Sequence, residues 1–159
     1  MSTPPEIAFV CWGNICRSPM AQVIAESYAR REGLRGVTFT SYGVSSEEIG
    51  NPIDPRAADA LRAAGFTPGT HTARRITPDE AHHAALLIGM EDLHLAKLRR
   101  LVPDAKNLYL LTDFDPNAIP GSGIDDPWYG DDEDFAKALR EIEAAMPEVI
   151  KRARELIAG

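Results

Sequence analysis

Apolar positions in this chain fall into short unbroken runs and longer helical repeats, and the two kinds alternate. Glu6 to Val10 is mostly apolar and too short for a helix, which predicts a buried strand ending at Cys11. Gly13-Asn14 marks a loop. Ser18 then offers an N-cap side chain and Pro19 suits the first helical position, while Met20, Val23, Ile24 and Tyr28 repeat at helical spacing up to Gly33. The unit recurs: Val37 to Tyr42 predicts a strand, and Asp54-Pro55 opens a helix carrying Ala57, Leu61 and Ala64 that stops at Gly65. Thr77-Pro78-Asp79-Glu80 has the spacing of a capping box and starts a short helix. Ala84 to Met90 predicts a third strand, followed by a helix with Leu95, Leu98, Leu101 and Val102 that ends before Pro103. Asn107 to Thr112 predicts a fourth strand. Phe135, Leu139, Ile142, Met146, Val149, Ile150, Ala153 and Ile157 then share one face of a long final helix, which Pro147 would kink.

Strands alternating with helices predict an α/β fold, an open four-stranded parallel sheet with helices on both faces, of Rossmann-like type. A length of 159 residues leaves room for one core, so a single domain spanning residues 1–159 is expected. In such sheets ligands sit beyond the carboxyl ends of the strands, and Cys11, Ser41, Glu91 and the loop after Thr112 all fall there.

Composition narrows the chemistry. Apolar residues at 44% and charged residues at 26% are ordinary for a globular chain and argue against disorder. A net charge of −7 argues against a broad nucleic-acid or anionic-membrane footprint, so any phosphate chemistry must rely on a local positive site. Cys11 and Cys16 are too few for a disulfide framework or a four-cysteine zinc site. The run Ile7 to Val10 is too short for a signal-peptide core or a membrane span. A reduced, cytoplasmic, monomeric protein is expected.

The candidate chemistry lies in Cys11-Trp12-Gly13-Asn14-Ile15-Cys16-Arg17-Ser18, between a buried strand and a helix N-terminus. Such a loop aims successive backbone N–H groups and the positive helix end at one point, where a tetrahedral dianion would sit. Arg17 adds a planar fork of donors for two phosphoryl oxygens, and the same field would favour Cys11 as a thiolate nucleophile. Gly13 and Asn14 both suit the positive φ that a loop closing on an anion requires. Taken singly, Cys11 reads as an inert small hydrophobe and Arg17 as a common residue; their combination with Gly, Asn and Ser in one strand-to-helix loop is the specific signal.

Cys11 to Ala21, with Gly-Asn-Ile-Cys inside and Pro-x-Ala after, resembles the signature of the low-molecular-weight protein tyrosine phosphatases. The resemblance runs on through Ser41-x-Gly43, Asp54-x-Arg56, Gly65, His71-x-Ala73-Arg74 and Phe114-Asp115-Pro116 to Asp126-Pro127-Trp128-Tyr129-Gly130. It implies the phosphotyrosine phosphatase I type of fold, protein substrates carrying phosphotyrosine, small aryl phosphates as further substrates, and no cofactor. It also implies that Cys11 attacks phosphorus to form a phosphocysteine while Arg17 and the loop amides, from Trp12 to Cys16, follow the charge. Ser18 would hydrogen-bond the sulfur. Asp126 would be the general acid, later a base toward water, with Pro127 biasing it to extended backbone. Ser41, His71 and Asn14 match positions that brace the loop. Cys16 would be a redox partner able to form a disulfide with Cys11.

Asp125 competes with Asp126, and only the match to Asp-Pro separates them. Asp131, Asp132, Glu133 and Asp134 read as a solvated acidic start to the last helix, without the spacing of a calcium loop, so no metal is expected. His82, His83 and His94 lack paired ligand spacing and are expected at the surface. The chain departs from the family at Glu47, where an aromatic usually walls the substrate cleft; a carboxylate there offers no stacking and repels a phosphate dianion. Trp12, Trp128 and Tyr129 remain to line the cleft. Glu91 stands in place of the usual Asp. Two rival functions stay open here: an arsenate reductase of the same fold, and a non-catalytic phosphate-binding or redox-sensing module.

Overall fold

In the computed structural model, which describes residues 3–159, strand β1 (Glu6–Cys11) is buried along its whole length. Met1 and Ser2, part of the expected 1–159 domain, lie outside the described residues. The period-two alternation of β1 sends Ile7, Phe9 and Cys11 into one apolar cluster and Ala8 and Val10 into another. A strand between two such clusters has to read as an apolar run, which is why it was legible as a strand but not by alternation.

Strands β2 (Thr38–Gly43), β3 (Leu86–Gly89) and β4 (Leu108–Leu110) complete a parallel sheet in the order β2-β1-β3-β4. Helices α1 (Arg17–Arg31), α2 (Pro55–Ala63) and α5 (Asp132–Ala158) contribute Met20, Ile24, Leu61, Phe135 and Ile142 to the first cluster. Helices α3 (Pro78–His83) and α4 (Asp92–Leu101) contribute Ala81, Leu95 and Leu98 to the second. The expected α/β class and both covered faces are present. No described helix is long and apolar enough to cross a membrane.

The chain leaves β1 for β2 on one side and returns to β3 on the other. The carboxyl ends of β1 and β3 therefore bound a crevice whose loops depart to opposite faces, the usual place for a ligand in an open sheet. Register fixes the flank: Cys11 pairs with Gly43, and Ser41 with Phe9, so Ser41 lies beside the start of the Cys11 loop.

Two local expectations change. Ser18 does not cap α1: the cap position is Cys16, with no side-chain cap bond, because the Ser18 hydroxyl is turned into a buried polar network. The fourth strand stops at Leu110 instead of Thr112, since the Asp113 carboxylate accepts the Leu110 N–H at 2.9 Å and curls Leu111–Phe114 into a 3₁₀ turn. Helix α5 runs on through Pro147 as the single long final helix expected, held at its start by the reciprocal bonds of Asp131 and Asp134. The capping box of α3, Thr77 with Glu80, and the Asp54 cap of α2 form as expected.

Candidate active site

Four carbonyls of the loop from Cys11 to Ser18 are taken by groups outside it. Cys11 O accepts Val44 N–H at 3.0 Å, Trp12 O accepts Val44 and Ser45 N–H at 3.1 Å each, and Ile15 O accepts Asp54 N–H at 2.8 Å. His71 Nε2 donates to Asn14 O at 2.6 Å. Peptide planes that point their carbonyls out point their N–H groups in, and among the described residues no loop or turn carbonyl takes an N–H from Trp12 to Arg17. Helix α1 adds its positive end at the same place. The result is a ring of inward donors around the Cys11 side chain.

Two backbone details permit this turn. Asn14, not Gly13, takes the left-handed conformation, with φ 63°. Gly43 backs the loop so closely that a Cβ there would lie 2.7 Å from Trp12 O and 3.2 Å from Asn14 N, which gives the Ser41-x-Gly43 motif a steric reason. The Asn14 side chain is fully used: Nδ2 donates to Ser18 Oγ at 2.9 Å and Ser41 Oγ at 3.0 Å, while Oδ1 accepts Arg74 N–H at 3.0 Å. The strain of Asn14 is thus held by contacts on every side. Burial pushes the His71 pKa down against the opposing pull of Asn14 O, so the ring is neutral at pH 7 with its proton on Nε2.

Ser18 Oγ lies 3.0 Å from Cys11 Sγ and 3.3 Å from Tyr42 O. One lone pair takes the Asn14 amide, and the single hydroxyl proton can go to either remaining neighbour. A negatively charged sulfur draws it to Cys11.

Arg17 is 2% exposed. Its Nη1 donates to Glu91, with which it forms an ion pair, and to Ile124 O at 2.7 Å. Its Nη2 is 3.5 Å from Asp126 Oδ2, and its buried Nε has no acceptor among the described residues. Nε–H and Nη2–H lie on one edge of the guanidinium; apart from the 3.5 Å approach of Asp126, that edge has no side-chain ion partner among the described residues, while Nη1 anchors the plane. The Glu91–Arg17 pair also bridges the crevice, because Glu91 follows β3 and Arg17 opens α1.

Asp126 precedes a 3₁₀ turn, Pro127–Tyr129; its Oδ1 accepts Trp128 N–H at 3.1 Å, which turns Oδ2 toward Arg17. Asp125 is exposed and does not line the cleft. Asp126 does line it, with Cys11, Trp12, Gly13, Ile15, Cys16, Arg17, Glu47, Glu48, Glu91, Leu93, His94, Trp128 and Tyr129, around a volume of about 410 Å³. Ser41 and His71 stand behind the loop, outside this lining. Cys16 is a buried free thiol, pushed up in pKa by burial and then by Asp54, so it stays protonated beside the nucleophile candidate.

Arg56 joins the parts, a role the sequence reading did not assign. Its Nε and Nη2 grip Asp54 at 3.1 and 3.0 Å, its Nη1 donates to Trp128 O at 3.0 Å, and its guanidinium lies 4.6 Å from the Phe135 ring centroid. Burial alone would raise the Asp54 carboxyl, but Arg56 outweighs it and holds it below the ordinary range. Since Asp54 N–H holds Ile15 O, this pair ties the Cys11–Ser18 loop to the Asp126 loop. The Asp54-x-Arg56 spacing was visible; its second partner, a carbonyl far along the chain, was not.

His94 overturns the surface expectation. His82 and His83 are exposed, but His94 is fully buried at the first turn of α4, where its Nδ1 accepts Glu91 N–H at 3.0 Å. Lack of ligand spacing argued only against a metal; it said nothing of a cap. Burial, then the Arg17 charge, pushes its pKa down to about 3. An unfolded histidine titrates near 6.5, so below that pH the unfolded chain binds a proton that the folded chain refuses. Stability is expected to fall by about 1.4 kcal/mol per pH unit from this group as pH drops below about 6.5. Urea titrations at several pH values check this, and His94→Asn, which keeps an acceptor for Glu91 N–H, should show a shallower fall. Equal slopes in both proteins would mean that other groups control the acid limb.

Comparison with known proteins gives a consistent result. The family model described as low molecular weight phosphotyrosine protein phosphatase matches residues 6–156. Low molecular weight protein-tyrosine phosphatase A of Mycobacterium tuberculosis is 39% identical over 150 residues, 92% of this chain and 90% of that protein. The low molecular weight protein-tyrosine-phosphatase of Streptomyces coelicolor is 35% identical over 159 residues, covering 96% of each. The crystal structure of a protein tyrosine phosphatase from Entamoeba histolytica shares the fold at TM-score 0.89 and 22% identity, over 95% of this chain and 97% of that one.

Proposed function

Because this chain belongs to the low molecular weight phosphotyrosine protein phosphatase family, we propose that it hydrolyses phosphotyrosine in proteins, and small aryl phosphates, through a phosphocysteine on Cys11. The observation that carries this reading is the ring of inward N–H groups and the open edge of Arg17 around Cys11 Sγ. The phosphoryl oxygens take those donors, which places phosphorus in line with the sulfur. As the S–P bond forms and the P–O bond to the tyrosine ring breaks, Asp126 in its acid form gives its proton to the departing phenolate oxygen. In the second step Asp126 takes a proton from water, the water oxygen attacks phosphorus, and the S–P bond breaks. Ser18 O–H stabilises the sulfur that leaves, and Asn14, Ser41 and His71 keep the loop closed. The proposed phosphatase domain is the chain as a whole.

The test compares phosphotyrosine and phosphoserine peptides as substrates, then repeats the first with Asp126→Asn. Loss of the proton donor is expected to lower kcat/KM, which reports the first step, by roughly 10²- to 10⁴-fold for phosphotyrosine and much less for p-nitrophenyl phosphate, whose leaving group needs little protonation; kcat should fall for both, because Asp126 also serves the common second step. A larger loss in Asp125→Asn would transfer the acid role to that neighbour. Equal turnover of phosphoserine would remove the tyrosine assignment.

A further inference from the structure

The family's aromatic wall is missing at Glu47, yet the Glu47 carboxylate does not stand free in the cleft: Oε2 accepts the Trp12 indole N–H at 2.9 Å. The Lys97 ammonium lies 5.4 Å from the Trp12 ring centroid, and the indole packs partly against the second apolar cluster. The Trp12 backbone is equally fixed, its carbonyl taking Val44 N–H, Ser45 N–H and, at 2.9 Å, the Ser45 hydroxyl. Trp12 follows the nucleophile directly and lines the cleft with Trp128 and Tyr129.

We infer that Trp12 is the aromatic wall of this cleft and that Glu47 is a positioning residue acting through it, which together select phosphate esters of aromatic rings. The inference rests on the phosphatase reading above and adds to it where the ring of the substrate is held. A carboxylate whose oxygen is committed to an indole N–H orients that indole, and the orientation restores a stacking surface that the residue at 47 does not itself provide. The sequence expectation of a weakened wall is revised accordingly. Glu47 acts on substrate by holding Trp12, not by repelling phosphate.

The experiment measures competitive inhibition constants for benzylphosphonate, methylphosphonate and inorganic phosphate in wild type and variants, beside KM and kcat for a phosphotyrosine peptide. Trp12→Leu and Glu47→Ala are each expected to weaken benzylphosphonate relative to methylphosphonate by about threefold to tenfold, the range that one lost aromatic contact supports. The peptide should show the loss mainly in KM. Glu47→Gln, which keeps an acceptor oxygen, should retain the wild-type ratio. In the double variant the Glu47→Ala effect should vanish, because its only route is through the missing indole. Trp12→Phe, which keeps a ring but removes the N–H, serves the same cycle should Trp12→Leu fail to fold. An unchanged ratio in Trp12→Leu or Trp12→Phe overturns the inference. So does a Glu47→Ala effect that persists without the indole N–H, or a Glu47→Gln effect equal to it, since both would mean that the charge acts directly. If inorganic phosphate does not compete in the wild type, the phosphatase reading itself fails, which is a distinguishable outcome.

Discussion

Cys11→Ser is expected to lose phosphotyrosine hydrolysis by on the order of 10⁴-fold or more while binding inorganic phosphate nearly as tightly as the wild type. The two halves of this result have separate causes in the structure. Binding belongs to the inward N–H groups and the Arg17 edge, none of which involves the sulfur. Turnover belongs to the sulfur, and a hydroxyl in its place is far less nucleophilic and leaves phosphorus far less easily. Oxygen is also smaller than sulfur, so the 3.0 Å approach of Ser18 should lengthen without disturbing the Asn14 bonds that hold the loop. Phosphate titration by isothermal calorimetry gives the first half, and a phosphate-release assay with long incubation the second. Loss of both together would mean that the cradle depends on the thiol. Retained turnover would remove the covalent step, leaving Asp126 to activate water directly.

The order of the elements and the place of the Cys11–Ser18 loop between β1 and α1 were legible because both rest on local signals. Apolar runs, capping boxes and the eight-residue loop from Cys11 to Ser18 sit within single turns or strands, and the structure places them within a few residues of expectation. What was not legible depends on how side chains meet once the loops and helices are in place, whether their partners are near or far in sequence. His94 looks like any polar residue in the first turn of an amphipathic helix; it is buried where α4 folds back on the end of β3, its Cβ 3.4 Å from where a Cβ on Gly89 would lie. Ser18 has every local mark of a helix cap, and only the arrival of Asn14 and Cys11 beside it shows why it is not. Glu47 was read only by the ring it lacks; its bond to the Trp12 indole, 35 residues away in sequence, has no local signal. Arg56 was quoted only as part of a motif, and its bond to Trp128 O spans 72 residues. In each case the folded arrangement gave a polar group a partner that its local pattern did not name.

Arg17→Lys is expected to lower kcat/KM by roughly 10²- to 10³-fold, a loss comparable to removing one oriented donor from an oxyanion site, although net charge is unchanged. The geometry explains why charge alone does not suffice. The guanidinium uses Nη1 for Glu91 and Ile124 O while keeping the Nε–Nη2 edge for the anion, so one planar group serves both sides of the crevice. An ammonium has three donors on one atom; if it satisfies Glu91 and Ile124 O, it has no second prong for phosphate. The cost also reaches the acid. Ile124 lies two residues before Asp126, and Nη2 stands 3.5 Å from Asp126 Oδ2, so the lysine variant should misplace the proton donor as well as the anion. Asp126→Asn should therefore cost markedly less in the Arg17→Lys background than in the wild type, because part of its contribution is already gone. A cycle of kcat/KM values for phosphotyrosine peptide, beside p-nitrophenyl phosphate, separates these effects. Strict additivity would mean that Arg17 grips the anion without setting the acid, and the 3.5 Å approach would then be a contact without catalytic consequence.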